Sequence, residues 1–260
     1  MNRGAPSAAE IDTAVCRYVE LDGPALRTQA ALLSPQERER AGRLRFPVDR
    51  DRFVAAHIAL RLALAEQGAQ QADALRLADG PLGKPWLPDH PRIHFSLSHS
   101  RGVALIAVGH RGPLGVDVEY LRPVPDALAV AERCFTLHEN RALRSLPPRR
   151  RGRAFLTCWT RKEACLKAIG LGLRLDPSTI EVGLEATLRR IDIPVGGHLL
   201  RVVVGPAPAR SGSVASLAEW RIPQPLLQVP GALAQAARAF GDAAAYAAAP
   251  SRQRLQEAAP

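Results

Sequence analysis

With 260 residues, 47% of them hydrophobic and 23% charged, the chain can bury a core as one large domain or two small ones, which excludes a wholly disordered protein. A formal net charge of +10 points to an anionic partner: nucleic acid, membrane surface, phosphorylated substrate or acidic protein. Aromatic residues make up only 5% and do not interleave with the basic runs, which argues against single-strand nucleic-acid binding by stacking.

There is no apolar run of the roughly eighteen residues that a transmembrane helix needs, and "MNRGAPSAAEID" has no apolar region of a signal peptide. The expected location is therefore cytoplasmic. Cys16, Cys134, Cys158 and Cys165 form no C-x-x-C pair, so free and mostly buried thiols are expected rather than a zinc site.

In chain order, "AVCRYVEL" (Ala14 to Leu21) predicts a strand. "LLSPQERERAGRL" predicts a helix with Ser34 as N-cap and Pro35 in the first turn. Phe53, Ala56, Leu60 and Leu64 recur at helical spacing between Asp49 and Gln67, and Gly68 ends that helix. "ADGPLGKPWLPDHP" is a turn-rich loop, and "RIHFSLSHS" and "VALIAVG" form a hairpin around Arg101-Gly102. "LGVDVEYLRP" is the third strand.

After Pro125 the pattern turns helical. "PDALAVAERCF" is one helix, and "TLHENRALRSL" is another, with Thr136 and Glu139 at capping-box spacing. Pro147-Pro148 breaks it. "RGRAFLTCWTRKEACLKAIG" is a long helix that buries Phe155, Trp159 and Leu166 and stops at Gly170 or Gly172. "TIEVGLE", "LRRIDIP", "HLLRVVVG" and "VASLAEWRI" read as strands. The class is α+β, with two halves, 1–114 and 115–226, each made of helices and a small antiparallel sheet. The repeat between them is too faint in sequence to establish a duplication. Residues 227–260 are an Ala-rich tail, read as a loose helix or a disordered end.

Three polar patches interrupt these apolar patterns. Asp117 and Glu119 stand two apart on one strand, so their like charges share a face and call for a counter-charge. With Glu163 they would supply the hard oxygen ligands that Mg²⁺ prefers, although by spacing alone an exposed strand face is the commoner meaning of D-x-E. Ser96, Ser98, His99 and Ser100 crowd one strand end. Glu163 and Lys167 stand at i, i+4, which fits a surface ion pair as well as a site in which Lys162 and Lys167 hold phosphate oxygens. Lys84 in "GKP" is close to backbone that can approach an anion, but no P-loop pattern is present.

Taken in order, "GKPWL", "FSLSHS", "GVDVE", "FTLHE" and "WTRKEACLKAIGLGL" resemble the successive signature blocks of the Sfp-type 4'-phosphopantetheinyl transferases. The resemblance runs from about Ser34 to Trp220. It implies a pseudo-twofold pair of similar α+β halves with the active site between them. The implied activity is transfer of the phosphopantetheine arm of coenzyme A to a serine of an apo acyl or peptidyl carrier protein, with release of 3',5'-ADP. It also implies Mg²⁺ as cofactor and a monomer.

Residue by residue, the resemblance implies Asp117, Glu119 and Glu163 as Mg²⁺ ligands. Gly83, Lys84, Pro85, Ser98 and His99 would contact the nucleotide, and Lys162 and Lys167 the pyrophosphate, with Lys167 stabilising the leaving group. Glu139 would be the general base, beside its capping role. Arg40, Arg43 and Arg52 are the candidates for the 3'-phosphate, and Glu37 stands where family members often carry lysine. The positive charge would steer coenzyme A and an acidic carrier, the latter near "PPRRRGR" or the helices between Pro125 and Leu146. The alternatives are a Mg²⁺-dependent phosphoesterase or nuclease and a non-catalytic nucleic-acid binder; the resemblance implies neither nucleic acid nor membrane as partner.

Overall fold

The first half of the chain wraps one long helix over one small sheet in the computed structural model, which describes residues 14–80, 82–195 and 198–221. Strand β1 (Val15–Glu20) leads through α1 (Pro24–Arg27) to α2 (Pro35–Gly42) and the long α3 (Pro47–Glu66). Helix α2 starts as predicted: Ser34 accepts the Glu37 N–H, and the Glu37 carboxylate accepts the Ser34 N–H. Glu37 also receives the Nε of Arg61 at 2.8 Å, and the buried Arg61 guanidinium donates to the carbonyls of Ala72 and Leu75. A carboxylate at this position therefore belongs to the core beneath α3, not to an anion site.

The two-residue strands β2 (Ala78–Asp79) and β3 (Pro85–Trp86) close the turn that carries Gly83 and Lys84. Strands β4 (His94–Ser100) and β5 (Val103–Gly109) form the predicted hairpin, and β1 pairs antiparallel on the far side of β5. The continuous apolar run of β5 has a structural reason. Ile106 and Val108 face the α3 core, while Val103, Leu105 and Ala107 face a second core shared with the other half.

That half begins with β6 (Leu114–Tyr120), followed by α4 (Ala127–Cys134), α5 (Leu137–Ser145) and α6 (Pro148–Ile169). Strands β7 (Arg189–Val195), β8 (His198–Pro206) and β9 (Ser213–Trp220) complete an antiparallel sheet of order β6-β9-β8-β7. Helix α6 lies across β6 and β9 and is buried almost all round from Phe155 to Ile169. The approach to β6 is close enough to require glycine: a Cβ on Gly115 would sit 1.9 Å from the Ala164 carbonyl oxygen. Gly170, at φ 79°, ends the helix in the left-handed conformation expected of a C-cap.

The predicted strand "TIEVGLE" is not one. Its segment is a loop whose backbone groups are taken by buried side chains of α5 and α6 instead of a sheet partner, as described below. The four cysteines are free, and burial pushes the Cys165 thiol up to about 12. No helix among the described residues is long and apolar enough to cross a membrane. The expected tail from 227 lies outside the described residues.

Candidate active site

The two sheets meet edge to edge, β4 against β6, and the junction is built from side chains. Alternate residues of β4 point at β6. Ser96 Oγ accepts the Val116 N–H at 3.0 Å, Ser98 Oγ accepts that of Val118 at 3.4 Å, and Ser100 Oγ accepts that of Tyr120 at 3.3 Å. Two of these hydroxyls donate onward: Ser98 to Asp117 Oδ1 at 2.7 Å and Ser100 to Glu119 Oε2 at 2.8 Å. Carbonyls on the same edge are met by ammonium groups. Lys84 Nζ donates to the Leu114 carbonyl at 2.9 Å, and Lys167 Nζ to that of Val116 at 2.9 Å. Lys167 Nζ also lies 2.7 Å from Asp117 Oδ1, so the buried Asp117 has its counter-charge.

Glu163 stands on the α6 face that meets this edge. Thr160 Oγ1 lies 2.9 Å from Ser216 Oγ, and Ser216 is paired across the sheet with Asp117. Lys167 reaches Asp117 itself. Glu163 is three residues after Thr160 and four before Lys167, hence on the same face between them. The structure thus brings Asp117, Glu119, Glu163 and Lys167 onto one wall.

On the first half's side of this wall lies a cavity of about 430 Å³, lined by Arg40, Arg43, His57, Ser98 and His99 among others. Arg40 sits over the ring of Phe53, 5.8 Å from its centroid. His57 stacks on the same ring at 3.8 Å, and burial holds its imidazole below the ordinary histidine range. Four of the residues predicted for nucleotide contacts, Arg40, Arg43, Ser98 and His99, therefore share one cavity. His57 was missed; its signal is a polar residue in the otherwise apolar "VAAHIAL", four residues after Phe53. A second cavity, of about 240 Å³, starts at Glu119 and runs past Arg122, Val130, Arg133, Phe155 and Trp159. The first cavity reaches Ser98, which donates to Asp117, and the second reaches Glu119.

Other predicted residues are placed elsewhere. Lys162 was expected to hold pyrophosphate, but it is 1% exposed at its side chain and pairs with Glu139 Oε2 at 2.7 Å. It also donates to the carbonyls of Pro177, at 2.8 Å, and Ile180. An ammonium has three donors, so none remains for a phosphate. Glu139, expected as general base, is equally enclosed. Its Oε1 accepts the N–H groups of Val182 and Gly183 at 2.8 and 2.9 Å, and its Oε2 accepts that of Thr136 at 3.0 Å in a complete capping box. Burial pushes this carboxyl up, but Lys162 and the backbone donors outweigh it and hold the group below its ordinary range. A base must reach the proton it removes, and this one faces the protein interior.

The neighbouring Arg161 donates to the carbonyls of Val182, at 3.0 Å, and Thr187, at 2.7 Å. The charges of Arg161, Lys162 and Glu139 thus fasten the loop that sequence patterning took for a strand.

Lys84 of "GKP" gives its ammonium to Leu114 and to the Ala168 carbonyl, 3.0 Å away near the C-terminus of α6. Burial lowers its pKa to about 7. Gly83, at φ 80°, and Pro85 shape the turn that aims it. Arg52 makes a two-point contact with Asp22, at 2.7 and 3.1 Å, and does not line the cavity. Ser98 lines the cavity, but its hydroxyl proton is directed to Asp117.

The donor set on β6 suits a hard divalent cation: carboxylate oxygens, with hydroxyls behind them. Among the described residues, no three His, Cys, Asp or Glu side chains are grouped as a ready-made cage. Mg²⁺ commonly completes its shell with substrate phosphate and water, so a partial set of carboxylates is compatible with it.

The family model described as the 4'-phosphopantetheinyl transferase superfamily matches residues 113–194, a span that includes Asp117, Glu119, Glu163 and Lys167. The 4'-phosphopantetheinyl transferase HetI of Nostoc sp. is 39% identical over 175 residues, which cover 65% of this chain and 73% of that protein. A Synechocystis protein provisionally given the same enzyme name is 38% identical over 154 residues, covering 58% of this chain and 63% of its own length. The 4'-phosphopantetheinyl transferase Sfp of Bacillus subtilis is 29% identical over 155 residues, 60% of this chain and 68% of that protein.

Proposed function

The chain belongs to the 4'-phosphopantetheinyl transferase family, and on that premise we propose that it moves the 4'-phosphopantetheine arm of coenzyme A onto a serine of an apo acyl or peptidyl carrier protein. The carrier serine oxygen bonds to the phosphorus that bears pantetheine and gives up its proton to solvent, the bond to the bridging oxygen of the pyrophosphate breaks, and 3',5'-ADP leaves. The observation that carries this reading is a cavity lined by Arg40, Arg43, His57 and His99 that reaches Ser98, the hydroxyl donor to Asp117, together with a second cavity that reaches Glu119. That cavity suits the nucleotide phosphates, which arginine can grip through two N–H groups at once. The second cavity, with its Phe155 and Trp159 wall, suits the less charged pantetheine arm and the incoming serine.

Asp117, Glu119 and Glu163 would hold Mg²⁺. When bound, that ion neutralises charge on the pyrophosphate as the leaving group departs. Lys167 brings a positive charge to within 2.7 Å of Asp117 in the buried wall. Residues 1–114 would supply the nucleotide contacts and residues 115–226 the carboxylates and the carrier surface, where Arg149, Arg150 and Arg151 face an acidic partner. A pseudo-twofold relation is supported by each half laying a long helix, α3 or α6, on an antiparallel sheet. The reading includes action as a monomer and a cytoplasmic location.

The test is mass spectrometry of apo carrier proteins incubated with the protein, coenzyme A and Mg²⁺. A gain of one phosphopantetheine on serine, absent with Asp117→Ala, is expected. Cleavage of coenzyme A without carrier would overturn the reading in favour of a phosphoesterase.

A further inference from the structure

We propose that Ser98 and Ser100 are positioning residues that aim the carboxylates of Asp117 and Glu119 at the divalent cation, an inference that rests on the cation reading above. The seam between β4 and β6 repeats one unit every two residues. In each unit a β4 serine accepts the N–H of the β6 residue twenty positions on, and its hydroxyl proton faces the side chain nineteen positions on. For Ser98 that side chain is Asp117, and for Ser100 it is Glu119. For Ser96 the corresponding residue is Gly115, which has no side chain to receive it. The backbone N–H occupies a lone pair of each hydroxyl, which fixes the rotor and leaves the proton to the carboxylate.

The carboxylates are thereby held by a strand of the other half. Ser98 also lines the cavity that contains Arg40, Arg43 and His99, so it touches both the phosphate side and the carboxylate side of the site. A hydroxyl that donates to a ligating carboxylate orients it, and losing such a partner typically weakens metal binding about 10–100-fold.

Ser96 supplies an internal control. Ser96→Ala, Ser98→Ala and Ser100→Ala each delete one acceptor for a β6 N–H, so a purely structural seam predicts the same effect from all three. Mn²⁺ binding in the presence of coenzyme A, read by electron paramagnetic resonance of the free ion, separates the cases without measuring turnover. Ser98→Ala and Ser100→Ala should weaken Mn²⁺ about 10-fold or more. Ser96→Ala should leave it within about two-fold, and Ser100→Thr, which keeps the hydroxyl, should restore wild-type binding.

The proposal is overturned if Ser98→Ala and Ser100→Ala bind Mn²⁺ like the wild type, or if Ser96→Ala loses as much as they do. Should the wild-type protein with coenzyme A bind no Mn²⁺, the cation reading itself falls and the proposal with it. Ser98 is buried, so if its variant fails to fold the half-buried Ser100 carries the test alone.

Discussion

Replacing Lys162 with methionine separates the structural role found here from the phosphate-binding role that the sequence suggested. In the folded protein the ammonium meets one carboxylate oxygen of Glu139 and two backbone carbonyls, with both charged side chains at or below 1% exposure. Removing one partner of a buried ion pair costs about 3–5 kcal/mol, because the remaining charge loses its compensation. A domain of this size is stable by about 5–15 kcal/mol, so the variant should fold but sit near its threshold. At about 2–4 °C per kcal/mol the expected fall in Tm is roughly 10 °C. Urea unfolding at neutral pH measures the loss directly, with an unchanged slope showing that the effect is on stability. The KM for coenzyme A of the folded enzyme should stay within about two-fold of wild type, an expectation set by the lack of a spare donor. Acid titration adds a sign. The Glu139 carboxyl is held below its ordinary value, so its stabilisation is complete above the unfolded pKa and is lost as pH falls through the lower folded one. Glu139→Gln should therefore flatten the acid limb of stability that the wild type shows. An unfolding free energy within about 1 kcal/mol of wild type, together with a tenfold rise in KM for coenzyme A, would refute the structural role.

Lys84→Met should cost about 1–3 kcal/mol by leaving the Leu114 and Ala168 carbonyls without their donor, measured by the same unfolding experiment. The Lys84 pKa is lowered in the folded state to about 7, so between that value and the unfolded lysine pKa the unfolded chain binds more protons and stability rises with pH. That rise should shrink in Lys84→Met when melting is followed from pH 7 to 10. Arg40→Glu combined with Arg43→Glu should raise the KM for coenzyme A about 10–100-fold, the worth of one or two charge-assisted bonds, while 3'-dephospho-coenzyme A is affected far less. Equal effects on both substrates would move the 3'-phosphate elsewhere.

Local chemistry was legible in the sequence, and the direction of side chains was not. Both capping boxes, Ser34 with Glu37 and Thr136 with Glu139, form as their spacing says, because each involves only four consecutive residues. The β4–β5 hairpin and the paired carboxylates of β6 follow from period-two patterning. Adjacent charges on α6 were beyond that kind of reading. Lys162 and Glu163 are neighbours in sequence but about 100° apart around the helix, and only the packing of α6 decides which meets the loop and which the β6 wall. "TIEVGLE" has strand composition, yet N–H and C=O groups of Ile180, Val182 and Gly183 are satisfied by Glu139, Arg161 and Lys162, partners between eighteen and forty-four residues away. The reach of Lys84 to Ala168 spans eighty-four positions and leaves no trace in local pattern.

The edge of β6 explains why two acids can sit in an aliphatic strand. An edge strand exposes backbone donors and acceptors that must find partners, and among the described residues β6 has a hydrogen-bonded strand neighbour in β9 but none on the β4 side. The serines of β4 take the N–H groups of Val116, Val118 and Tyr120, and Lys84 and Lys167 take the carbonyls of Leu114 and Val116. The same side chains then serve the acids, Ser98 and Lys167 at Asp117 and Ser100 at Glu119. A backbone ladder would have satisfied the edge but offered the carboxylates no donor. A seam of hydroxyls and ammonium groups meets both demands at once, and it can do so only where two sheet edges face each other. The like charges of β6 are therefore held in place by the joint between the halves, so any substitution that opens that joint should disturb the carboxylates before it unfolds either half.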